Sequence, residues 1–446
     1  MGFLSERASQ ALRLDDLDGR FDPWLLTVTI VLAAFGVVMV ASSSMPYAMN
    51  NGLGPFYYLE RHLLFLGGGV LLAVLLMRTE MKRIQEYSQY LLPLCLLLLL
   101  SVWVPGIGRT INGARRWLNL GVSNFQVVEA VKLLLIVWMA SYLVRYQNVI
   151  GDSWKALLKP LIAAGVLVGL LLLQPDFGSA TLILAVTGGM VWLGGARIRN
   201  LVLPAGAGLL AMSFIVMLEP YRVRRLTSFQ NPWADPRDSG YQLVQALIAI
   251  GRGDWSGVGL GGSILKLDYL PEAHTDFIFS VTAEEFGFLG VCAIVALFAV
   301  LTWRALSIGL RCIEMRRHFS GYCAFGVGLW ISLQAFVSMG VNLGILPTKG
   351  LTLPLISSGG SSVLMTCAAM GLLLRVSYEL DRAERQVAKL RGQSAAVDAM
   401  SSEDHLDDGI DDAPRSAAAA RLGHAATMPA TRGHRARIEP RLGAQR

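Results

Sequence analysis

The segment Leu270-Pro-Glu-Ala-His-Thr-Asp-Phe-Ile-Phe279 brings polar side chains to the point where a long polar stretch meets an apolar one. Asp276 stands at that junction. Partial loss of hydration makes a carboxyl group hold its proton more readily, which moves it toward the range of a general base. A helix-terminal acid, or a cap shared with Thr275, is the structural alternative. His274 is a candidate ligand contact, although a lone histidine is more often a hydrogen-bonded loop residue.

Two further acids, Glu284 and Glu285, follow about two helical turns deeper. Lipid cannot solvate them, so we expect them to pair with cations or to assist inside the bundle.

Two arginines adjoin an indole in Gly113-Ala-Arg-Arg-Trp117. The fixed fork of donors on Arg115 and Arg116 suits phosphate oxygens, and the Trp117 ring offers a face to a sugar or a lipid stem. An ordinary interfacial membrane anchor has the same composition, so both interpretations stand.

Glu129 and Lys132 lie three residues apart in an apolar stretch, which puts them on one helix face within pairing distance. They predict either a neutralised packing pair or a cation presented to an anionic ligand.

The segment Leu346-Pro-Thr-Lys-Gly-Leu-Thr-Leu-Pro-Leu-Ile-Ser-Ser-Gly-Gly-Ser-Ser362 is polar and broken by proline and glycine between two apolar helices. Irregular backbone at membrane depth survives only where protein or water covers it, so this segment predicts a re-entrant loop that lines a cavity. Lys349 would add a cation there, and Ser357 is a further candidate contact.

Other kinds of site find little support in the sequence. The five cysteines form no CxxC pair and no zinc spacing, which predicts no metal site. The glycine-dense stretch from Gly251 to Gly262 has no strand before it, so it predicts a flexible or compact loop and not a nucleotide fingerprint. The net charge of +7 is scattered over short loops, which argues against a nucleic-acid partner.

The elements that must position these residues are membrane helices. Of the 446 residues, 54% are hydrophobic and 16% charged, a composition that predicts lipid as the solvent. A span needs about 20 apolar residues. Runs of that length predict an all-α polytopic fold of about ten transmembrane helices, beginning near Trp24, Leu59, Gln89, Gln126, Pro160, Gly178, Leu201, Asp276, Gly321 and Ser361.

Charge in the connections predicts the orientation of this fold. An even number of spans puts both termini on one side, and the positive-inside rule makes that side cytoplasmic. The connections on that side carry Arg78, Lys82, Arg83, Arg145, Lys155, Lys159, Arg197, Arg199, Arg304, Arg311, Arg316 and Arg317.

Four regions follow from these spans. Residues 1–22 are a cytoplasmic N-terminal segment, and 23–378 are the membrane domain. Within that domain, 219–275 form a long extracytoplasmic loop between helices 7 and 8. Residues 379–446 lose periodicity and predict a disordered cytoplasmic tail.

Several long motifs in order resemble the SEDS family (shape, elongation, division and sporulation) from about Trp24 to Arg375, and the Pro-Thr-Lys-Gly of the last loop resembles its division branch. Besides the segments around Arg116, Asp276 and Lys349, the resemblance rests on Gln174-Pro-Asp-Phe-Gly178, Asn231-Pro-Trp233 and Gly240-Tyr-Gln242. Two positions depart from the family pattern: Val127 replaces a proline before Glu129, and Ser358 replaces a tyrosine.

The resemblance implies a peptidoglycan glycosyltransferase of the inner membrane and division septum that polymerises lipid II into a growing glycan strand. Asp276 matches the family's essential aspartate and would act as general base, with Arg115, Arg116, Lys132 and Lys349 holding the diphosphate of the leaving group. A single displacement would invert the anomeric centre. No cofactor is certain, although a divalent cation (Mg²⁺ or Mn²⁺) could share the diphosphate charge.

The resemblance also implies partners, namely a class B penicillin-binding protein with transpeptidase activity, other division membrane proteins and membrane lipid. Two other functions stay open at this point. A lipid II flippase would use the same cationic cavity, although the sequence shows no inverted repeat. A non-catalytic scaffold would need only the long loop and the tail.

Overall fold

The computed structural model describes residues 18–407 except 112, 120, 122, 152, 218–226 and 348–349. Residues up to Val387 form one unit, and the described part of a second unit, 388–407, is helical. Among the described residues, the helices of at least seven residues are α1 Pro23–Asn50, α2 Tyr57–Arg78, α3 Met81–Tyr87, α4 Leu91–Ser101, α5 Val127–Tyr146, α6 Trp154–Leu173, α7 Phe177–Leu193, α8 Ile198–Met217, α9 Tyr241–Gly253, α10 Ile278–Glu314, α11 His318–Asn342 and α12 Gly360–Asp407.

The prediction of a polytopic helical membrane protein is confirmed. In the described part of the chain, α1, α2, α5, α6, α10, α11 and α12 are long and apolar enough to cross a membrane, and α7 and α8 contribute shorter apolar stretches. The remaining predicted span, from near Gln89, is shorter than predicted: it corresponds to α4, which has 11 residues, and α3 precedes it across a 3₁₀ turn, Ser88–Tyr90. Within the residues that the structure describes, ten helical segments therefore stand where ten spans are predicted.

The connection between α4 and α5 contains strands that the sequence did not predict. It forms an antiparallel sheet in the order β1 Gly108–Ile111, β2 Ala114–Asn119 and β3 Asn124–Gln126. Trp117 pairs with Arg109 on one side and with Gln126, which directly precedes α5, on the other. The sheet thereby fixes the two arginines of β2 next to the start of α5.

The long predicted loop between α8 and α10 is ordered over the residues that the structure describes. It contains α9, which packs along α10. Of the two loop types predicted for the glycine-dense stretch, flexible or compact, the structure shows the compact one. At Gly257 (φ +78°) an added Cβ would lie 2.2 Å from the carbonyl oxygen of Glu285. Only glycine permits that approach of two backbones.

Helix α10 differs from the straight predicted span in two ways. It begins at Ile278, two residues after Asp276. Its helical geometry is interrupted at Gly287 (φ +66°, ψ −164°), so a short piece, 278–286, precedes the long piece, 288–314. Every residue from Ile278 to Glu285 is buried, and the short piece is therefore enclosed by protein.

The last helix extends beyond the predicted start of the tail. Helix α12 continues through residue 379 to Asp407, and residues 408–446 lie outside the described part. Ion pairs one helical turn apart accompany the extension: Arg375 Nε lies 3.0 Å from Glu379, and Arg385 Nε lies 2.7 Å from Asp381. Such pairs stabilise exposed helices.

Candidate active site

A cavity of about 580 Å³ lies where five segments meet. They are the start of α2, the small sheet with the start of α5, helix α9, the segment before α10, and the connection from α11 into α12. Its lining includes Tyr58, Arg61, His62, Phe65, Ile111, Ala114, Arg116, Trp117, Asn124, Gln126, Gln242, Glu272, His274, Thr275, Asp276, Phe277, Gly350, Thr352, Ser358, Gly359, Gly360, Ser361 and Ser362. Of the predicted site residues it unites Arg116, Trp117, His274, Thr275 and Asp276.

Asp276 is partly exposed in the cavity wall, and its backbone is firmly held. Its carbonyl oxygen accepts a hydrogen bond from Asn342 Nδ2 at 2.9 Å, and Asn342 Oδ1 in turn accepts from the N–H of Ser280 at 3.1 Å. A Cβ added to Gly350 would lie 3.0 Å from Asp276 Oδ2. The absence of a side chain at Gly350 therefore leaves room for the carboxylate.

His274 anchors this segment to the first two helices. Its ring lies 4.9 Å from the ring centroids of both Tyr47 and Tyr58. Its carbonyl oxygen accepts a hydrogen bond from the N–H of Ser358 at 3.0 Å. Burial lowers the pKa of His274, and the nearby carboxylate of Glu272 partly opposes that shift. His274 therefore packs against two tyrosine rings and also lines the cavity, and its role as a ligand contact stays a prediction.

Thr275 turns toward Glu272. Its hydroxyl donates to Glu272 Oε2 at 2.7 Å, and the N–H groups of Thr275 and Asp276 both donate to the Glu272 carbonyl oxygen at 3.1 Å. Glu272, with φ +55°, closes a tight turn that points Asp276 into the cavity.

The two arginines of β2 have different surroundings because successive strand residues face opposite ways. Arg116 reaches the cavity and donates from Nε to the carbonyl oxygen of Gln174 at 2.9 Å and from Nη2 to that of Pro175 at 2.5 Å. Two of its five N–H donors are thus used. Arg115 is not among the lining residues, and its buried Nε has no hydrogen-bond partner in the described part of the chain.

Glu129 and Lys132 lie behind the cavity wall and do not line it. Lys132 Nζ is 2.8 Å from Glu129 Oε2 and donates to Gln334 Oε1 at 2.7 Å, and both charged side chains are almost fully buried. Gln334 Nε2 donates to the carbonyl oxygen of Thr352 at 2.9 Å. Since Thr352 lines the cavity, the charged pair supports the wall through Gln334.

The connection from α11 to α12 lines the cavity through Gly350, Thr352 and its last residues, as a re-entrant segment would. Ser357 is buried there, and its hydroxyl accepts a hydrogen bond from the N–H of Leu353 at 2.9 Å, so it shapes the loop behind the lining. Lys349 lies outside the described residues. The substrate-binding roles of Ser357 and Lys349 stay predictions.

Glu284 and Glu285 pair with cations from the long loop. Arg252 Nη1 lies 2.6 Å from Glu284 Oε1, and Lys266 Nζ lies 2.7 Å from Glu285 Oε1. Glu285 also accepts a hydrogen bond from Ser42 in α1 at 2.7 Å. These contacts attach the loop to the short piece of α10 that follows Asp276.

Sequence reasoning missed the polar face of α2. Tyr58, Arg61, His62 and Phe65 all line the cavity at the spacing i, i+3, i+4, i+7 of one helix face. The signal was present in the spacing, but α2 reads as an ordinary apolar span. Arg61 brings a second guanidinium to the cavity lining, in addition to that of Arg116.

The cavity lining combines carboxylates with guanidinium groups. Asp276 and Glu272 supply carboxylates, and Arg61 and Arg116 supply cations. Among the described residues, no group of three or more histidine, cysteine or acidic side chains could hold a metal ion. A general base next to an anion-binding surface is the reaction apparatus that this geometry offers.

The family described as "Cell cycle protein", FTSW_RODA_SPOVE, matches residues 23–382. This chain belongs to that family. The assignment confirms the resemblance to the SEDS proteins inferred from the motifs, and the match spans the whole membrane domain.

Relatives and solved structures agree with this assignment. The chain is 62% identical over 394 residues to the "Probable peptidoglycan glycosyltransferase FtsW" of Xanthomonas oryzae pv. oryzae, covering 88% of this chain and 80% of that protein. A chain solved in work on "polymerization and crosslinking by a peptidoglycan synthase complex" is 33% identical, with a TM-score of 0.66 and coverage of 81% and 98%. The rod shape determining protein RodA of Thermus thermophilus is 32% identical, with a TM-score of 0.59 and coverage of 80% and 96%.

Proposed function

We propose that this chain is a peptidoglycan glycosyltransferase that polymerises lipid II into glycan strands for septal wall synthesis. The observation that carries the proposal is the presence of Asp276 and Arg116 in the lining of one cavity. The name of the Xanthomonas relative agrees with this activity and with the division branch.

In the proposed reaction Asp276 removes the proton from the 4-hydroxyl of one disaccharide. The resulting oxygen attacks the anomeric carbon of the second substrate, and the bond from that carbon to the diphosphate breaks. Undecaprenyl diphosphate leaves with the electron pair. A single displacement with one base inverts the anomeric centre.

The cations of the cavity stabilise the charge that develops on the leaving diphosphate. Arg116 has donors beyond the two that bind backbone carbonyls, and Arg61 is presented by α2. Guanidinium forks suit phosphate oxygens, and fixed donors aimed at developing charge lower the barrier. Lys132 contributes from behind, through Gln334, by holding the carbonyl of Thr352 in place.

A divalent cation would have to take most of its ligands from the substrate. Glu272 and Asp276 are the acidic side chains in the described cavity lining, and Mg²⁺ accepts one or two carboxylates together with diphosphate oxygens. We therefore assign any such ion to the substrate complex and not to a protein cage.

The orientation follows from charge. We propose that both termini lie in the cytoplasm of an inner-membrane protein and that the cavity opens on the opposite side, where lipid II would meet the growing strand. The expected place in the cell is the division septum.

A class B penicillin-binding protein with transpeptidase activity is the proposed partner, together with other division proteins and membrane lipid. The supporting observation is the likeness to a chain from a peptidoglycan synthase complex that combines polymerisation with crosslinking.

Chain growth tests the proposal. Purified wild-type protein, Asp276→Asn and Asp238→Asn are incubated with lipid II and the partner transpeptidase, and glycan products are separated by size. Asp238 is a matched control because it is exposed and lies in the same long loop. General-base catalysis supplies about 10²- to 10⁴-fold, so Asp276→Asn should lose that factor while Asp238→Asn retains the wild-type rate.

The same experiment separates the rival functions. Equal polymer from wild type and a folded Asp276→Asn would remove the proposed base. A flippase would move lipid II across vesicles without making polymer, and a scaffold would do neither.

A further inference from the structure

One face of α2 carries a buried histidine that the proposed reaction does not use. In this helix, all of which is described, only His62 and Gly69 are buried, and the remaining residues are partly or fully exposed. His62 belongs to the face of α2 that lines the cavity, between Arg61 and Phe65. An otherwise exposed helix therefore directs one enclosed polar group toward the site of Asp276.

The imidazole of His62 has unsatisfied hydrogen-bonding capacity. The residue is 2% exposed, and neither Nδ1 nor Nε2 has a hydrogen-bond partner within the described residues. A neutral imidazole offers one donor and one acceptor. Leaving such atoms buried and unpaired destabilises the folded chain, and more so in a membrane-spanning helix. Leucine or phenylalanine would fill the same volume without that cost.

We propose that His62 forms a sugar-binding subsite and hydrogen-bonds a hydroxyl or acetamido group of the lipid-linked saccharide. This inference rests on the proposed function and adds a contact to the same cavity. The second torsion of a histidine side chain has a broad minimum, so the ring can turn toward a bound ligand at little cost.

The chemistry of His62 favours the sugar over the diphosphate. A hydroxyl or an amide both donates and accepts, so it can satisfy an imidazole, whereas a fully ionised phosphate oxygen only accepts. The adjacent Arg61 is the better phosphate ligand because its donors are always charged and forked. These two neighbouring residues of α2 thus bind different parts of the substrate: Arg61 binds the anionic diphosphate and His62 binds the neutral saccharide.

Binding measurements test the subsite. Dissociation constants for lipid II and for undecaprenyl diphosphate, which lacks the sugars, are measured in nanodiscs with the Asp276→Asn protein to prevent turnover. His62→Leu removes both hydrogen-bonding atoms, and His62→Gln keeps a donor and an acceptor. Leu64→Ala is the matched control, because Leu64 lies two residues after His62 in the same helix and is 71% exposed.

The expected result is selective. His62→Leu should weaken lipid II binding about 3- to 10-fold, the value of one neutral hydrogen bond, and leave undecaprenyl diphosphate binding unchanged. His62→Gln should restore much of the loss, Leu64→Ala should change neither constant, and the unfolding temperature of His62→Leu should equal or exceed that of the parent.

Three results would overturn the assignment. Unchanged lipid II binding in His62→Leu would show that His62 does not contact the ligand. Equal weakening of lipid II and undecaprenyl diphosphate binding would show that His62 contacts the diphosphate and not the sugar. If both His62→Leu and His62→Gln fail to fold, the imidazole is required for the fold and not for the ligand. Because binding is scored separately from chain growth, a wild-type protein that binds lipid II without polymerising it contradicts the proposed function and leaves the subsite comparison intact.

Discussion

Replacing Gly350 by alanine should slow the reaction without weakening the fold. The added Cβ would lie 3.0 Å from Asp276 Oδ2, a distance at which the carboxylate must give way by a few tenths of an ångström. Only the flexible end of one side chain needs to move, so the free energy of unfolding should stay within about 0.5 kcal/mol of the wild type.

The catalytic cost follows from the displacement. A misplacement of about 1 Å in a reacting group costs about 10²-fold in rate, so a shift of a few tenths should lower kcat roughly 3- to 10-fold. Gly165→Ala is the control, because a Cβ at Gly165 in α6 meets open space and should leave kcat unchanged. Rates of chain growth at saturating lipid II and unfolding temperatures in detergent measure the two effects.

A second comparison sharpens this prediction. In the Asp276→Asn background, where no base remains to be misplaced, Gly350→Ala should cause no further loss of rate. The steric argument would be refuted if the kcat of Gly350→Ala stayed within twofold of the wild type. It would also be refuted if Gly350→Ala lowered the rate by the same factor in Asp276→Asn as in the wild type.

Two other predictions concern the segment around Asp276. Lys266→Met removes the cation from the fully buried carboxylate of Glu285 and leaves it only the hydroxyl of Ser42 among these two partners. The free energy of unfolding in a denaturant titration should therefore fall by about 3–5 kcal/mol. A loss below about 1 kcal/mol would show that the ion pair contributes little to stability. For His274, burial lowers the pKa from the ordinary 6.5, so the unfolded chain binds the extra proton first as the pH falls. Stability should therefore decline below about pH 6.5, and His274→Phe should flatten that decline between pH 7 and 5; an unchanged slope in that variant would contradict the assignment.

The fold was largely predictable because the bilayer imposes a length on each apolar run. Within the described residues all ten predicted spans correspond to helical segments, including the one near Gln89, which is shortened to the 11 residues of α4. The interruption of α10 was not predictable from the run alone. Gly287 adopts a positive φ because the backbone near Gly257 packs against it, and that contact joins residues thirty positions apart.

The ordered structure between the spans was missed for a different reason. Strands β1 to β3 are three to six residues long and sit in a segment read as an arginine-rich loop. Helix α9 lies in a stretch that the membrane argument classified only as extracytoplasmic. Hydropathy identifies the apolar segments that can span a bilayer, but it says little about strands and helices that pack outside the apolar layer.

The candidate site was half predictable. The junction of a polar stretch with an apolar helix located Asp276, and the arginine pair located Arg116. Spacing identified Glu129 and Lys132 as a pair, but it could not show that their neighbour is Gln334, a residue two hundred positions away, instead of the cavity. Which face of a helix meets which partner is decided by tertiary packing.

The break at Gly287 also separates the acid from the lipid. A helix that spans a bilayer tilts when the membrane becomes thinner or thicker. The short piece that follows Asp276 is enclosed by protein and held by Arg252 and Lys266, while the lipid-facing piece begins only after Gly287. Changes in bilayer thickness can therefore reorient the spanning piece and leave the carboxylate in place.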